Sequence, residues 1–275
     1  MSGILYVVGT PIGNLGDFSP RAVQCFSEVD FIAAEDTRVT VKLLNHFNIK
    51  KPLVSYHEHN RYEQGEQIVQ RLQAGESCAL VSDAGMPAIS DPGVVLVDKC
   101  HENGITVASV PGPCALVTAL AISGLDNRRF SFEGFLTGNK PKRREHLAEL
   151  VGEKKTMVFY EAPHKLAATL RDLYEVLGER RIALVKELTK IYESVERTSL
   201  SAAVEKYQGQ KLKGEYVIII EPPQEEGQKE CSVEEAAEYA EQLMEDEGLT
   251  TAEAAKRAAK QFNLKKGDIY KLLVE

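Results

Sequence analysis

Five short β-rich runs recur through the first 110 residues, and each stops abruptly at a turn-forming or charged cluster. ILYVV (4–8) ends at Gly9-Thr10-Pro11-Ile12-Gly13, and VDFIAA (29–34) at Glu35-Asp36-Thr37-Arg38. LVSY (53–56) ends at His57-Glu58-His59-Asn60, CALVS (78–82) at Asp83-Ala84-Gly85, and ITVASV (105–110) at Pro111-Gly112-Pro113. Segments of helix length separate them, at 20–27, 40–47, 64–74 and 93–103. Strands that alternate with helices favour a parallel sheet, because each crossover must carry the chain back to the same edge. The expected fold is therefore an α/β domain with a largely parallel sheet.

A second series follows. FSFEGF (130–135), TMVFY (156–160), RIALV (181–185), YESVER (192–197) and EYVIII (215–220) read as strands. Residues 162–177 read as a helix with Leu166, Leu170, Leu173 and Leu177 on one face, Pro163 at its start and Gly178 past its end. The polar, proline-bearing stretch 221–230 reads as a linker. Beyond it, Ser232 with Glu235, and Thr250 or Thr251 with the acids that follow, read as helix N-caps. The expected organisation is an α/β domain over 1–115, a second over 116–224, and a helical tail over 231–275.

Three of the loops, at 9–16, 83–93 and 111–113, are rich in Gly and Pro and contain no Lys or Arg. All follow strands of one parallel series, so they share the carboxyl edge, where open α/β sheets bind ligands. Neither GxxxxGK[ST] nor a helix-opening GxGxxG is present, which disfavours a triphosphate or a dinucleotide. A small ligand held by main-chain groups fits better, and a cationic one would tolerate the missing basic residues. S-adenosylmethionine has that chemistry. The formal charge of −8 argues against non-specific nucleic-acid binding but leaves room for a local basic patch. The five cysteines are scattered and form no CxxC pair, so reduced and mostly buried thiols are expected. No apolar run is long enough to span a bilayer, and no basic flank precedes the N-terminal apolar stretch; a cytoplasmic protein without a membrane is expected.

Read in order, LYVVGTPIGNLGD, FIAAEDTRVT, LVSDAGMPAISDPG, VPGPCALVTALAISG, FYEAPHKL, KELTK and GEYVIII resemble the tetrapyrrole methylase superfamily over essentially the whole chain. AEDTR and FYEAPH resemble its ribosomal-RNA branch. The resemblance implies a bilobal fold, S-adenosyl-L-methionine bound between the lobes, and a homodimer. The activity it implies is methylation of the ribose 2′-hydroxyl of a cytidine in the decoding region of small-subunit (16S) rRNA. Matching positions carry over as cofactor contacts. They are Thr10, Pro11 and Gly13 in the first loop, Asp83, Ala84, Gly85 and Pro87 in the second, and Pro111, Gly112, Pro113, Cys114 and Ala115 in the third. Tyr160, Glu161 and Ala162 would line the cofactor from the second lobe, with Leu188, Gly214 and Glu215 closing it from below.

Methyl transfer to a sugar hydroxyl needs aligned reactants and help in removing a proton. Glu35, Asp36 and Arg38 from the first lobe, and Lys186, Glu187 and Lys190 from the second, are the candidates. A lysine there could stabilise an alkoxide or act as a base with a depressed pKa, and Arg38 could anchor phosphate or ribose; interlobe salt bridges are the plainer alternative. His57 and His59 read as polar or substrate-contacting residues rather than metal ligands, and no metal is expected. Lys140, Lys142, Arg143 and Arg144 form the strongest basic cluster, at a helix N-terminus where the dipole disfavours cations, so an RNA contact is expected. Residues 231–247 carry seven carboxylates and no Lys or Arg, whereas 250–275 carry six basic residues against three acidic ones. That basic part reads as a small helix-turn-helix unit with a turn through Asn263, either RNA-docking or merely stabilising. Two other readings stay open: a tetrapyrrole methyltransferase of the same fold, and a non-catalytic ribosome-associated protein.

Overall fold

The computed structural model describes residues 2–223, 232–262 and 264–274; residues 224–230, Cys231 and the expected turn residue Asn263 lie outside them. The chain divides into two compact units, Met1–Pro222 and Pro223–Glu275.

The first unit opens with β1 (Ile4–Val8), α1 (Pro20–Glu28), β2 (Phe31–Ala34), α2 (Thr37–His46), β3 (Leu53–Ser55), α3 (Arg61–Gln73), β4 (Cys78–Val81), α4 (Gly93–Glu102) and β5 (Thr106–Val110). These strands form one sheet in the order β3-β2-β4-β1-β5, and every pairing is parallel. Both faces are covered, which is why β2 and β4 read as unbroken apolar runs. Ile32, Ala34, Ala79 and Val81 meet α1 and α2 on one face; Phe31, Ala33, Cys78 and Leu80 meet α3 and α4 on the other. Starts of helices follow the capping chemistry. Ser19 caps α1 with Pro20 behind it, and the Asp36 carboxylate caps α2, which therefore begins at Thr37, three residues before the expected start.

The chain continues through α5 (Ala115–Ser123), β6 (Phe130–Phe135), α6 (Lys140–Glu149), β7 (Thr156–Glu161), α7 (Leu166–Leu177), β8 (Arg181–Lys186), β9 (Ser194–Ser199), α8 (Leu200–Tyr207) and β10 (Tyr216–Ile220). The second sheet has the order β6-β7-β10-β8-β9; β6 and β7 run parallel and the other neighbours antiparallel. Leu166, Leu170, Leu173 and Leu177 are buried on one side of it, as their spacing predicts. Full burial of each contributes roughly 1.5–3 kcal/mol. That helix starts at Leu166, not at residue 162: Pro163 biases Ala162 away from helical geometry, and Lys165 N–H donates to the Ala162 carbonyl at 3.0 Å in a separate turn. The opposite face packs on α5, and Ile12 from the first lobe joins that core.

Among its described residues the second unit has three helices: α9 (Val233–Glu247), α10 (Thr251–Phe262) and α11 (Lys266–Leu272). The Ser232–Glu235 capping box forms as expected. Ala236, Ala240, Leu243, Ala254, Ala258 and Ile269 build the core, while Lys256, Lys260, Lys265 and Lys266 are exposed. No helix among the described residues is long and apolar enough to cross a membrane.

Candidate active site

The order of the first sheet puts β4, β1 and β5 side by side, so their three Gly/Pro loops emerge next to one another. They are knitted together through backbone. Thr10 N–H donates to the Gly85 carbonyl (2.9 Å), and Gly85 N–H donates back to Thr10 (3.1 Å). Gly9 lies against Gly112 so closely that a Cβ on Gly112 would sit 2.7 Å from the Gly9 carbonyl oxygen. The sequence signals a close backbone approach here; what makes it is, first of all, the neighbouring loop. Gly85 has φ +88°, the left-handed region open to glycine.

Beside these loops a cavity of about 610 Å³ opens between the two sheets. Its walls include Asp83, Ala84, Gly85, Cys114 and Ala115 from the first side, and Tyr160, Glu161, Ala162, Leu188 and Glu215 from the second. Glu35 also lines it. Thr10, Pro11, Gly13, Pro87, Pro111, Gly112, Pro113 and Gly214, expected as cofactor contacts, do not; they lie within three residues of lining residues in the chain. Among the described residues no Lys or Arg lines the cavity, whereas Glu35, Asp83, Asp91, Glu161 and Glu215 all do. Sequence reading misses Ile12, Ile89, Asp91 and Phe135. Asp91 had a signal, as the second aspartate of the loop, followed by Pro92 and Gly93; Phe135 had none beyond its place at a strand end.

The six proposed catalytic residues fall into two self-contained groups. In the first lobe, Asp36 Oδ1 accepts from Arg38 N–H (2.8 Å), and the Arg38 guanidinium chelates the same carboxylate at 2.6–3.1 Å. That guanidinium holds Asp36 down to about 2, and the Arg38 side chain is 87% exposed. Glu35 differs. Burial raises its pKa, and the charges of Asp83, Asp91 and Asp36 add to the rise. In the second lobe, Lys190 Nζ donates to Glu187 (2.9 Å) and Glu215 (2.7 Å), and its side chain lies against Gly13. Burial alone would pull the Lys190 pKa down, but those two carboxylates hold it above its ordinary value. A neutral amine base at Lys190, allowed for by the sequence, is thus not what the geometry provides. Lys186 Nζ stands over the Tyr216 ring at 5.8 Å. No ion pair between the two groups occurs among the described residues.

Behind the wall runs a buried relay. Glu161 Oε1 accepts from Ala162 N–H (2.8 Å), and Oε2 accepts from the Thr169 hydroxyl (2.5 Å). Thr169 accepts in turn from Arg143 Nη2 (2.9 Å), and Arg143 Nε donates to Asp172 (2.6 Å). Arg143 is therefore turned inward, only 13% exposed, whereas Lys140, Lys142 and Arg144 point to solvent. Its helical position opposite α7 explains the departure from the expected four-residue patch. Tyr160 completes the wall: its hydroxyl accepts from Leu116 N–H (2.8 Å), one of the unpaired donors of the first turn of α5. Burial, reinforced by Cys114, pushes its pKa up to about 12, so it stays protonated. Cys25, Cys78 and Cys100 are buried free thiols, and burial raises the pKa of each. The His57 and His59 rings lie 5.9 Å apart, and no group of three or more metal-capable side chains occurs among the described residues.

Residues 4–204 match the family model described as Tetrapyrrole (Corrin/Porphyrin) Methylases. The chain is 46% identical to ribosomal RNA small subunit methyltransferase I of Synechocystis sp., over 99% of this chain and 98% of that protein. It is 50% identical to the protein of the same name from Xylella fastidiosa, over 80% and 81% of the two chains. Among solved structures, the fold is similar to a uroporphyrin-III-C-methyltransferase from Thermus thermophilus (TM-score 0.57, 19% identity, 80% of this chain and 94% of that one). It is also similar to a diphthine synthase (TM-score 0.60, 13% identity, 80% and 90%).

Proposed function

Because the chain belongs to the tetrapyrrole methylase family, and within it to the group named ribosomal RNA small subunit methyltransferase I, we propose that it methylates a cytidine 2′-hydroxyl in the decoding region of small-subunit rRNA. The observation that carries the cofactor reading is the cavity: main-chain loops on one side, five carboxylates, and no Lys or Arg among the described residues that line it. Its volume falls within the usual range for small-ligand sites, about 300–1,000 Å³. S-adenosyl-L-methionine supplies an electrophilic methyl group on a positively charged sulfonium, and a carboxylate-lined, cation-free wall suits that charge. The 83–85 loop, Cys114, Ala115 and the 160–162 segment would hold it. Leu188 and Glu215 would form the floor, the latter steadied by Lys190.

Glu35 is the residue we place at the proton. It lines the cavity, and its carboxyl pKa lies above the ordinary range through burial first and neighbouring carboxylates second. A base so tuned accepts the hydroxyl proton more readily than an exposed glutamate does. Arg38, exposed beside it, meets the ribose or a phosphate. Lys140, Lys142 and Arg144 supply further phosphate contacts, and the cationic face of α10 and α11 docks on RNA. A cytoplasmic homodimer acting on the small ribosomal subunit completes the reading. The tetrapyrrole alternative has less support: its examples share the fold at under 20% identity, whereas relatives above 40% carry the ribosomal name.

The test is methyl transfer from labelled cofactor to isolated small subunits, followed by mass spectrometry of the RNA. A single ribose-methylated cytidine is the expected product; label in a tetrapyrrole precursor instead would overturn the reading. Within the basic patch, Lys142→Glu with Arg144→Glu should weaken subunit binding, with a deficit that shrinks as salt rises. Cofactor affinity should stay unchanged. Arg143→Ala should act differently, lowering Tm by a few degrees because Asp172 and Thr169 lose a buried partner.

A further inference from the structure

Two large apolar side chains stand exposed at the cavity: Phe135 at 58% and Ile89 at 51%. Each is presented by an unusual backbone. The β6–β7 register shifts between Phe132 and Gly134, a bulge that leaves one unpaired residue, and Gly134 has φ +63°. Residues three apart in a regular strand face opposite sides. The bulge cancels that, so Phe132 and Phe135 both lie against Tyr160, with ring centroids 4.9 and 5.5 Å away. Ile89 follows Ala88, whose φ of +64° is rare for a residue with a Cβ. Asp91 Oδ1 holds that turn by accepting from Ala88 N–H (2.8 Å) and Gly93 N–H (2.9 Å). The two devices adjoin, since a Cβ on Gly134 would lie 3.9 Å from Ser90 Oγ. A backbone outlier such as Ala88, beside a bulge that presents an aromatic ring at a cavity, points to function.

We propose that Phe135 is a stacking platform for a nucleobase of the substrate strand, with Ile89 as a second apolar contact. The inference rests on the RNA reading above. Tyr160 meets the Phe135 ring at 63° in an edge-on arrangement, and the high exposure of Phe135 leaves ring surface free. Beyond Phe135 come the exposed cations Lys140, Lys142 and Arg144 on the first turns of α6. An aromatic face followed a few residues later by exposed cations suits single-strand recognition: the ring takes a base, the cations take flanking phosphates. A ribose hydroxyl brought to a cavity requires its nucleotide to leave the stack, and an aromatic platform offsets that loss. A second copy of the chain fits less well, because two side chains fall far short of the roughly 800 Å² per partner that a stable protein interface buries.

The full-length protein with Phe135→Ala, Phe135→Leu and Phe135→Trp decides the matter. Cofactor Kd by calorimetry should stay within about twofold of the unsubstituted protein for all three. With small subunits as substrate, kcat/KM should fall about 10- to 100-fold for Ala and Leu, and stay near the original for Trp. The chain contains no tryptophan, so the Trp variant carries its single tryptophan at the platform, where it can be excited selectively over the ten tyrosines. Its emission should be quenched by small subunits and not by cofactor. Unchanged kcat/KM for the Ala variant, rescue by Leu equal to rescue by Trp, or lost cofactor affinity would each overturn the platform while the unsubstituted enzyme stays active. Emission that follows protein concentration instead of RNA would assign the face to a second copy and overturn it as well. Inactivity of the unsubstituted protein on subunits would instead overturn the RNA reading, and the platform with it.

Discussion

Gly112→Val should abolish cofactor binding, with a loss of at least about 100-fold in affinity measured by calorimetry. The added Cβ meets the Gly9 carbonyl oxygen at 2.7 Å and the Gly9 Cα at 2.9 Å, and neither is the yielding end of a side chain. Overpacking of this sort costs about 1–3 kcal/mol or more. Gly9 begins the loop whose next residue, Thr10, is bridged to Gly85, and Gly112 precedes Cys114 and Ala115 in the cavity wall. Relief of the clash must therefore move one wall or the other. Tm should fall by several degrees as well, at about 2–4 °C per kcal/mol for a protein of this size. Gly152→Ala, with no atom within 4 Å of the added Cβ, is the matched control and should change neither quantity. If Gly112→Val kept wild-type affinity, the approach of these loops would not shape the cofactor wall.

Glu35→Gln should cost about 10²- to 10⁴-fold in kcat while leaving the protein more stable at neutral pH. The two effects share one cause. Burial raises the folded-state pKa of Glu35, and Asp83, Asp91 and Asp36 raise it further. A raised carboxyl pKa favours the folded state fully only below the unfolded value, near pH 4 by model peptides. That contribution is lost as pH rises through the folded pKa. Glutamine carries no such penalty. The Tm difference between variant and wild type should thus be smallest in acid, open as pH rises through the Glu35 pKa, and then level off. The wild-type pH–rate profile should carry an acid limb above the ordinary glutamate range, and the variant should lack it. An unchanged kcat with an unchanged acid limb would remove Glu35 from the proton transfer.

Among the described residues, the strands of the first sheet were legible because parallel, doubly covered strands are written as short apolar runs with abrupt ends; β9 of the antiparallel part is polar and exposed, and it lies two residues beyond the expected 192–197. α5 was not legible, since ALVTALAIS is apolar nearly all round and has no helical alternation to detect; it lies between the chain's third loop and the second sheet. Gly and Pro marked the three loops correctly because their reason is local conformation. The walls they build were less legible. Phe135 enters the cavity through a bulge, Ile89 through one left-handed residue, and Ile12 by crossing to the other lobe, all consequences of tertiary pairing. Arg143 shows the same limit from the other side. Within a run of basic residues nothing distinguishes the one that faces Asp172 and Thr169 from its exposed neighbours.

The closure of Gly9 on Gly112, and of Thr10 on Gly85, bears on how this site can be found by experiment. A truncation survey removes side chains and asks what is missed. Here the structural parts are peptide groups and absent Cβ atoms, so there is little for truncation to remove. If the proposed roles hold, such a survey would light up Glu35 and the outlying charges and pass over the loops that border the cavity. Their importance becomes visible only in the opposite experiment, where side chains are enlarged one at a time and the surface that refuses added volume is mapped.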